Sequence, residues 1–555
     1  MSGRARRSAA GKRPIEPSGA ARVPLGPGLG AAVASGAMVA AAFPGPSLWP
    51  LAIVGWLPML AWLRWRRPSV RRAAAMGLLA GTIVHVAVFY WIASTLEEMS
   101  GLPGAIALAA LVAYGAVMGL HQALWLGLLA AVASPEAEQG RLGRWRWAGL
   151  AALIYLAVEV LIPFQFPWFL GNALYAAPTW LQGADVFGVV GLSALCVGVA
   201  ALLAEAAPWR SGQRSLAPAL AAAALLLVWW AYGAARLAQH DASPVQKRWT
   251  AALIQPNPTL AEKRSLRPRP RLPMLDRAIA LTRGLDLKGV DVVLWPEGSL
   301  PFFYVPLPGD PDAQGLSADA MRAPPVLQQT SKRVRDFAKE LNRPLVFGAL
   351  RRTDPLWRER ARNSAVIMTM DGQRRFYDKQ LLVPFGEFMP GRDLFPALTE
   401  AIPGVSDMAA GSGDARFELA GTQVALTICY EALFAGHVWQ AAGDADVLLN
   451  LTDDVWFGPT NAPELHLMVQ VARAVELRRP LVRATATGIS ALVDAAGRVQ
   501  LRTGIWQSDA RIVTAEVRTL SSPFRLWGPW PVRVITGLVC LWLGWLLWSR
   551  RRQGS

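Results

Sequence analysis

The chain is short of cysteine. Three in 555 residues leave no disulfide framework, and redox compartment cannot be read from them. Cys196 and Cys540 lie inside long apolar runs. Cys429 is left as the thiol placed to meet a water-soluble group. Histidine is scarce too, at five. His85 and His121 fall in apolar runs and His240 follows one, so only His437 and His466 stand within reach of Cys429. His437, in the helix that follows, is expected to point away, which disfavours a Cys–His nucleophile pair. A metal site from Asp453, Asp454 and His466 is disfavoured as well, because their spacing matches no metal-ligand pattern. No metal and no cofactor are expected. Acidic residues are under-represented, 39 against 56 Lys and Arg, for a net charge of +17. That excess could suit nucleic acid. Much of it, however, sits in short loops between apolar runs, where membrane topology places it, so no nucleic-acid partner is expected.

What is abundant is apolar surface. Hydrophobic residues make up 53% of the chain and tryptophan occurs 24 times, the composition of an integral membrane protein with indoles at the interface. A span takes about 20 residues. Seven candidates precede residue 240, at 28–43, 48–65, 73–94, 104–133, 147–163, 184–206 and 216–236, and an eighth lies at 531–548. The first is short and Gly/Ala-rich. Residues 1–27 are polar and basic and read as a disordered cytoplasmic tail, with Arg6-Arg7 part of it rather than a twin-arginine signal. The loops alternate in charge. RWRRPSVRR at 64–72 is basic, TLEEMSGLP at 95–103 is acidic, 140–146 and 209–214 carry arginines, and 163–183 carries no charge. With basic loops inside, the N-terminus is cytoplasmic. Residues 28–240 form a seven-span domain, 245–520 lie outside, and the eighth span returns a tail at 549–555 to the cytoplasm.

The 245–520 block has another texture. Short β-branched runs at 250–254, 290–294, 345–350, 364–369, 424–428, 447–451 and 488–493 alternate with helical patterns such as 328–341 and 462–478, which predicts an α/β domain. Stretches 302–328 and 385–414, rich in Pro, Gly and aromatics, read as long loops near a site.

Three strand ends carry chemistry: Leu294-Trp295-Pro296-Glu297, Tyr377-Asp378-Lys379 and Ile428-Cys429-Tyr430-Glu431. A lone cysteine there is usually a buried apolar residue, and each short motif alone is weak. Together they form the parts of a cysteine acyl-transfer site. A thiol near pKa 8.5 needs help to attack at neutral pH, which a strand running into a helix N-terminus would supply. Glu297 would be general base and Lys379 the oxyanion stabiliser. Asp378 would face the other way. Asp453-Asp454 would cap or turn the chain after the 447–451 run.

These residues, with Leu382-Val383-Pro384-Phe385-Gly386-Glu387-Phe388, resemble the nitrilase superfamily. With the spans they resemble its membrane-embedded branch, the apolipoprotein N-acyltransferases of Gram-negative bacteria. Asn450 to Gly458 and Arg473 to Arg483 match that branch too. The resemblance implies a multi-pass α-helical membrane domain of about eight spans plus an α/β nitrilase-like αββα sandwich. It implies an inner-membrane enzyme with a Glu–Lys–Cys triad facing the periplasm. A phospholipid would donate an acyl chain to Cys429 as a thioester, and the amine of a diacylglyceryl-modified lipoprotein would accept it, with the enzyme a monomer in the bilayer. Glu387 would support Lys379, Tyr430 would line the acyl pocket, Glu431 would act behind the site, and Trp456 and Phe457 would shape it. The chain departs from the family's usual residues at Asp453-Asp454, at Ala486-Thr487-Gly488 and across 258–264. The rival readings are a membrane-tethered amidase acting on a small amide, and a transporter with an accessory soluble domain. Few ionisable residues stand in mid-span beyond Glu159 and the histidines, which disfavours the transporter.

Overall fold

The structure, a computed structural model, describes residues 25–133, 143–206, 216–265, 268–305, 324–352, 359–370, 373–394 and 406–553. Before residue 245 it is helical. Among the described residues five helices are long and apolar enough to cross a membrane: Val70–Val88, Gly104–Val132, Ala184–Ala206, Leu216–Ala242 and Trp530–Ser549. Eight spans were expected, and the difference has local causes. The helix at Leu25–Ala41 is apolar but has only 17 residues. The 48–65 run breaks into Pro50–Val54 and Leu57–Arg66, because Pro50 and Pro58 start helices better than they continue them. Gly143–Leu161 has the length but carries Arg144, Arg146 and Glu159. The expected 73–94 span ends at Val88, and a second helix, Trp91–Ser100, follows at once.

The remainder is a two-sheet sandwich. Its strands are β1 Val245–Gln255, β2 Val292–Leu294, β3 Phe303–Tyr304, β4 Leu345–Arg351, β5 Arg362–Met368, β6 Arg374–Asp378, β7 Arg416–Leu419, β8 Thr422–Ile428, β9 Val447–Thr452, β10 Leu481–Thr485, β11 Ala491–Val493, β12 Val499–Arg502 and β13 Asp509–Arg518. One sheet runs β13-β1-β2-β4-β5-β6, with β3 beside β4, and the other runs β12-β11-β10-β9-β8-β7. The β1–β2–β4, β3–β4 and β8–β9–β10 pairings are parallel, and the others are antiparallel. Parallel strands need covered faces. In β1, Trp249, Ala251 and Leu253 point between the sheets, while Ala252 and Ile254 point to the outer helices. This period of two inside a continuous apolar run is what makes it a doubly buried strand. Each such Leu or Ile contributes roughly 1.5–3 kcal/mol.

Helices Pro268–Arg283 and Pro325–Leu341 cover the first sheet. Ala435–Ala442 and Ala462–Leu477 cover the second, and their far side packs on the membrane helices in one continuous core. Arg478, with φ 53°, ends the last of these in a left-handed turn. Its buried guanidinium reaches Asp185 at the start of Ala184–Ala206 and Gln182 Oε1 at 2.6 Å. Asp185 also accepts from Tyr232 (2.6 Å) and Arg236 (2.7 Å). A buried carboxylate persists only when paired in this way, so this ion cluster ties the sandwich to the helices beneath it. Most of the 302–328 stretch and part of 385–414 lie outside the described residues.

Candidate active site

Both sheets bring a strand end to one point. The first contributes Glu297 and Lys379. β2 stops at Leu294, and Trp295 anchors the turn by donating to Thr282 Oγ1 (3.0 Å) and stacking on Phe337. Gly348 allows β4 to press against Glu297, since a Cβ there would lie 2.4 Å from the Glu297 Cα. Lys379 follows β6 and is held by its amide, which donates to the Asn363 carbonyl (2.8 Å). Its Nζ lies 2.9 Å from Glu387 Oε1 and 3.5 Å from Glu297 Oε1. Asn363 Nδ2 donates to both carboxylates, at 2.6 Å to Glu297 and 2.9 Å to Glu387. Glu297 Oε2 accepts from the Asp453 amide (2.8 Å), and Glu387 Oε2 from the Val383 amide (2.9 Å). Asp378 turns away, as expected, to Arg351 (2.6 Å) and Ser364 (2.6 Å).

The second sheet contributes Cys429. It follows β8 with φ 50°, a left-handed conformation costly for a residue with a Cβ and found where surrounding structure enforces it. The chain then enters a five-residue 3-10 turn, Cys429–Leu433. The expected α-helix start at the thiol is therefore absent, and Ala435–Ala442 begins only later. Burial and the Glu297 charge push the thiol well above its ordinary value, with Lys379 pulling against them. Cys429 is thus a protonated thiol at rest and needs a base. Burial also raises Glu297, against the pull of Lys379, which suits it to take a proton. Burial would lower Lys379, but Glu387 and Glu297 outweigh it and hold the ammonium charged.

Glu431 locks the two sheet ends together. It is buried and accepts from Gln380 N (2.6 Å), Leu381 N (3.2 Å), Ile428 N (2.7 Å) and Tyr377 Oη (2.9 Å). One carboxylate thus spans the backbone on both sides of the site, and burial pushes its pKa up to about 7. His437 lies against this carboxylate, 3.6 Å from Oε1, rather than against the thiol. His466 Nε2 meets the Cys429 carbonyl (3.4 Å), and its Nδ1 meets Asp454 Oδ1 (2.9 Å). Asp454 is also paired with Arg483 (2.8 Å). Asp453 does turn the chain, accepting from Val455 N at 3.2 Å.

Aromatic rings join the thiol to the helices. Tyr430 meets Phe434 (4.8 Å) and Phe166 (5.9 Å) edge-on, and its hydroxyl donates to the Gln165 carbonyl. Phe166 meets Trp91, and Trp91 meets Phe457 (4.8 Å), which in turn meets His466. The Trp456 carbonyl accepts from Thr95 (3.0 Å). Phe166 comes from the uncharged 163–183 segment, so that loop supplies part of the wall.

Comparison with known proteins agrees with this architecture. Residues 250–522 match the carbon-nitrogen hydrolase family, and residues 35–202 match the apolipoprotein N-acyltransferase N-terminal domain. An apolipoprotein N-acyltransferase of Rhizobium meliloti is 34% identical over 76% of this chain and 76% of that protein. The chain belongs to the apolipoprotein N-acyltransferase family. Another member, from Geobacter metallireducens, is 28% identical over 88% of each chain. The solved amidase of Nesterenkonia sp. is 21% identical, covering 53% of this chain and 97% of its own, with a TM-score of 0.36. The chain is accordingly a membrane protein and an N-acyltransferase of the nitrilase superfamily.

The structure brings Glu297, Lys379, Cys429, Glu387 and Glu431 together and places Tyr430 and Phe457 in the aromatic wall. Asn363, Arg483 and Lys263 also stand at the site and were not anticipated. A signal existed for two of them. Arg483 is a charge inside the apolar start of β10, and Asn363 is a polar residue in a strand that continues as an apolar run; burying either demands a partner. Lys263 carried none, because a lysine in a polar stretch reads as solvated.

Proposed function

We propose that Cys429 takes an acyl chain from a membrane phospholipid as a thioester and passes it to the amine of a lipoprotein's diacylglyceryl-cysteine. Lipoprotein N-acylation is the reaction of the family. The observation that carries the residue assignment is the convergence of Glu297 and Lys379, 3.5 Å apart, on the half-buried Cys429 thiol, which is coupled to both charges.

Glu297 accepts the thiol proton as sulfur attacks the ester carbonyl. The ammonium of Lys379 stabilises the developing oxyanion. The carbon–oxygen bond breaks, Glu297 returns the proton to the leaving oxygen, and the lyso-lipid departs. The acceptor amine then attacks the thioester, Glu297 takes its proton, the thiolate leaves beside Lys379, and Glu297 passes that proton to the sulfur to restore the resting thiol. Transfer rather than hydrolysis requires a site shielded from water, and the Tyr430, Phe166, Trp91 and Phe457 wall supports that. Glu387 holds Lys379 in place, and Glu431 sets the Cys429 turn against it. The alternation of basic loops supports an inner-membrane arrangement with residues 245–520 on the periplasmic face. A reporter active only in the periplasm, fused after residue 245, should be active. Silence there with activity at residue 212 would reverse the orientation.

The deciding experiment is intact-mass analysis of the detergent-solubilised protein mixed with phospholipid alone. An acyl adduct on Cys429 and release of lyso-lipid are expected, and Cys429→Ala should abolish adduct and turnover while the protein stays folded. Full transfer without any adduct would mean direct transfer between two bound lipids and would reduce Cys429 to a packing residue.

A further inference from the structure

Lys263 stands behind Glu297 with no part in the acyl-transfer steps. It lies on the short helix Leu260–Arg264, closed by a reciprocal cap between Thr259 and Glu262. Arg277 fastens that helix, pairing with Glu262 at 2.9 Å and donating to the Pro256 carbonyl at 3.0 Å. From there the Lys263 side chain runs inward and is 8% exposed. Its ammonium reaches two acceptors, Asp453 Oδ2 at 2.6 Å and the Gly298 carbonyl at 2.8 Å. Both bear on Glu297. Gly298 is the next residue in the chain, and the Asp453 amide donates to Glu297 Oε2 at 2.8 Å. The fit is close, since a Cβ on Gly298 would lie 2.8 Å from Lys263 Nζ and 3.6 Å from Asp453 Oδ2.

We propose that Lys263 is a positioning residue for the general base. Its ion pair with Asp453 and its bond to Gly298 fix the backbone on both flanks of the Glu297 carboxylate and neutralise the neighbouring carboxylate that takes no part in acyl transfer. The inference rests on Glu297 being the base. The charged and titratable groups facing Glu297 come from several elements: Lys379 after β6, Glu387 on the loop beyond it, Asp453 after β9, Arg483 on β10 and the thiol after β8. Glu387 and Asp453 oppose ionisation of Glu297, while Lys379 favours it. Without Lys263 the Asp453 charge would be buried and unpaired next to the base. Like charges disfavour the ionised form, so a smaller share of Glu297 would be competent at any given pH.

The test is the rate of Cys429 acylation by phospholipid alone, followed against pH in the full-length protein. Lys263→Met should slow acylation about tenfold or more and move the acid limb of the profile to higher pH. Asp453→Asn keeps the amide that holds Glu297 and removes the opposing charge, so its acid limb should move to lower pH. The double variant should recover most of the Lys263→Met loss. A double variant as slow as Lys263→Met, with the same limb, would overturn the proposal, because the lysine would then act through folding or substrate. If Lys263→Met does not fold, Asp453→Asn alone decides, and an unmoved acid limb rejects the idea. Glu297→Gln separates the two layers of the reading. Acylation at the normal rate in Glu297→Gln would remove the base assignment itself. An inactive Glu297→Gln with unmoved limbs in the other variants would remove only the role of Lys263.

Discussion

Two helices, Pro325–Leu341 and Ala462–Leu477, do the same architectural job on opposite sheets and are built differently. In the first, the buried positions are Leu327, Thr330, Ser331, Val334, Phe337 and Ala338, a single stripe, and Lys332, Arg333, Asp336 and Glu340 face outward. In the second, 15 of 16 residues are buried, His466, Gln470, Arg473 and Glu476 among them. A helix apolar on one stripe closes a core against water, whereas a helix buried all round has protein on both sides. The sandwich is therefore asymmetric. The sheet that carries Glu297 and Lys379 faces outward, and Cys429 is carried by the sheet that rests on the membrane helices.

The comparison breaks most visibly at Val469, which is fully buried. Val469→Asp places an unpaired charge between the second sheet and the membrane helices and should destabilise the protein by on the order of 4 kcal/mol or more. Thermal unfolding in detergent measures it, and a loss under about 1 kcal/mol would mean that this helix is not enclosed. Lys379→Ala tests whether the outward sheet is needed by the thiol on the other. Transfer should fall about 100-fold or more, and Lys379→Arg should not restore it, because a planar fork does not replace a compact ammonium. Near-normal turnover in Lys379→Ala would make the lysine structural only.

Glu431 sharpens the comparison, since it joins the two sheet ends. Burial raises its folded pKa from 4.5 to about 7. The folded state then binds more protons than the unfolded state in that window, so its contribution to stability falls as pH rises from 4.5 to about 7. Unfolding midpoints across that window should decline more steeply in the wild type than in Glu431→Gln, and parallel slopes would reject the shift. The smallest effect belongs to the outward helix. Arg333 pairs with Asp276 across an exposed surface, and Arg333→Ala should change stability by about 0.5 kcal/mol or less. A larger loss in the same unfolding assay would show that this face is covered after all.

Much of the molecule was legible as sequence because its signals are local. The β-branched runs named seven strands. β3, β7, β10, β12 and β13 were not named, and β6 was marked only by its end at Tyr377-Asp378-Lys379, since short or charge-bearing strands carry little periodicity. Cys429, Glu297 and Lys379 could be singled out because each ends a strand. Membrane helices were legible by length, except where proline broke a run or arginine entered one.

By itself the sequence determined the texture of this protein: apolar runs that must leave water, alternating runs that must pair, and a thiol, a carboxylate and an amine at strand ends. Those follow from hydrophobicity and backbone periodicity, which act within a few residues. Only the tertiary structure decided which sheet meets the membrane helices, why burial and the Glu297 charge push the thiol up, and how Asn363, Glu431 and Lys263 bond to the segments around Glu297, Lys379 and Cys429. Those depend on burial and on charges brought together from distant segments, and electrostatic coupling is set by distance in space rather than by distance along the chain.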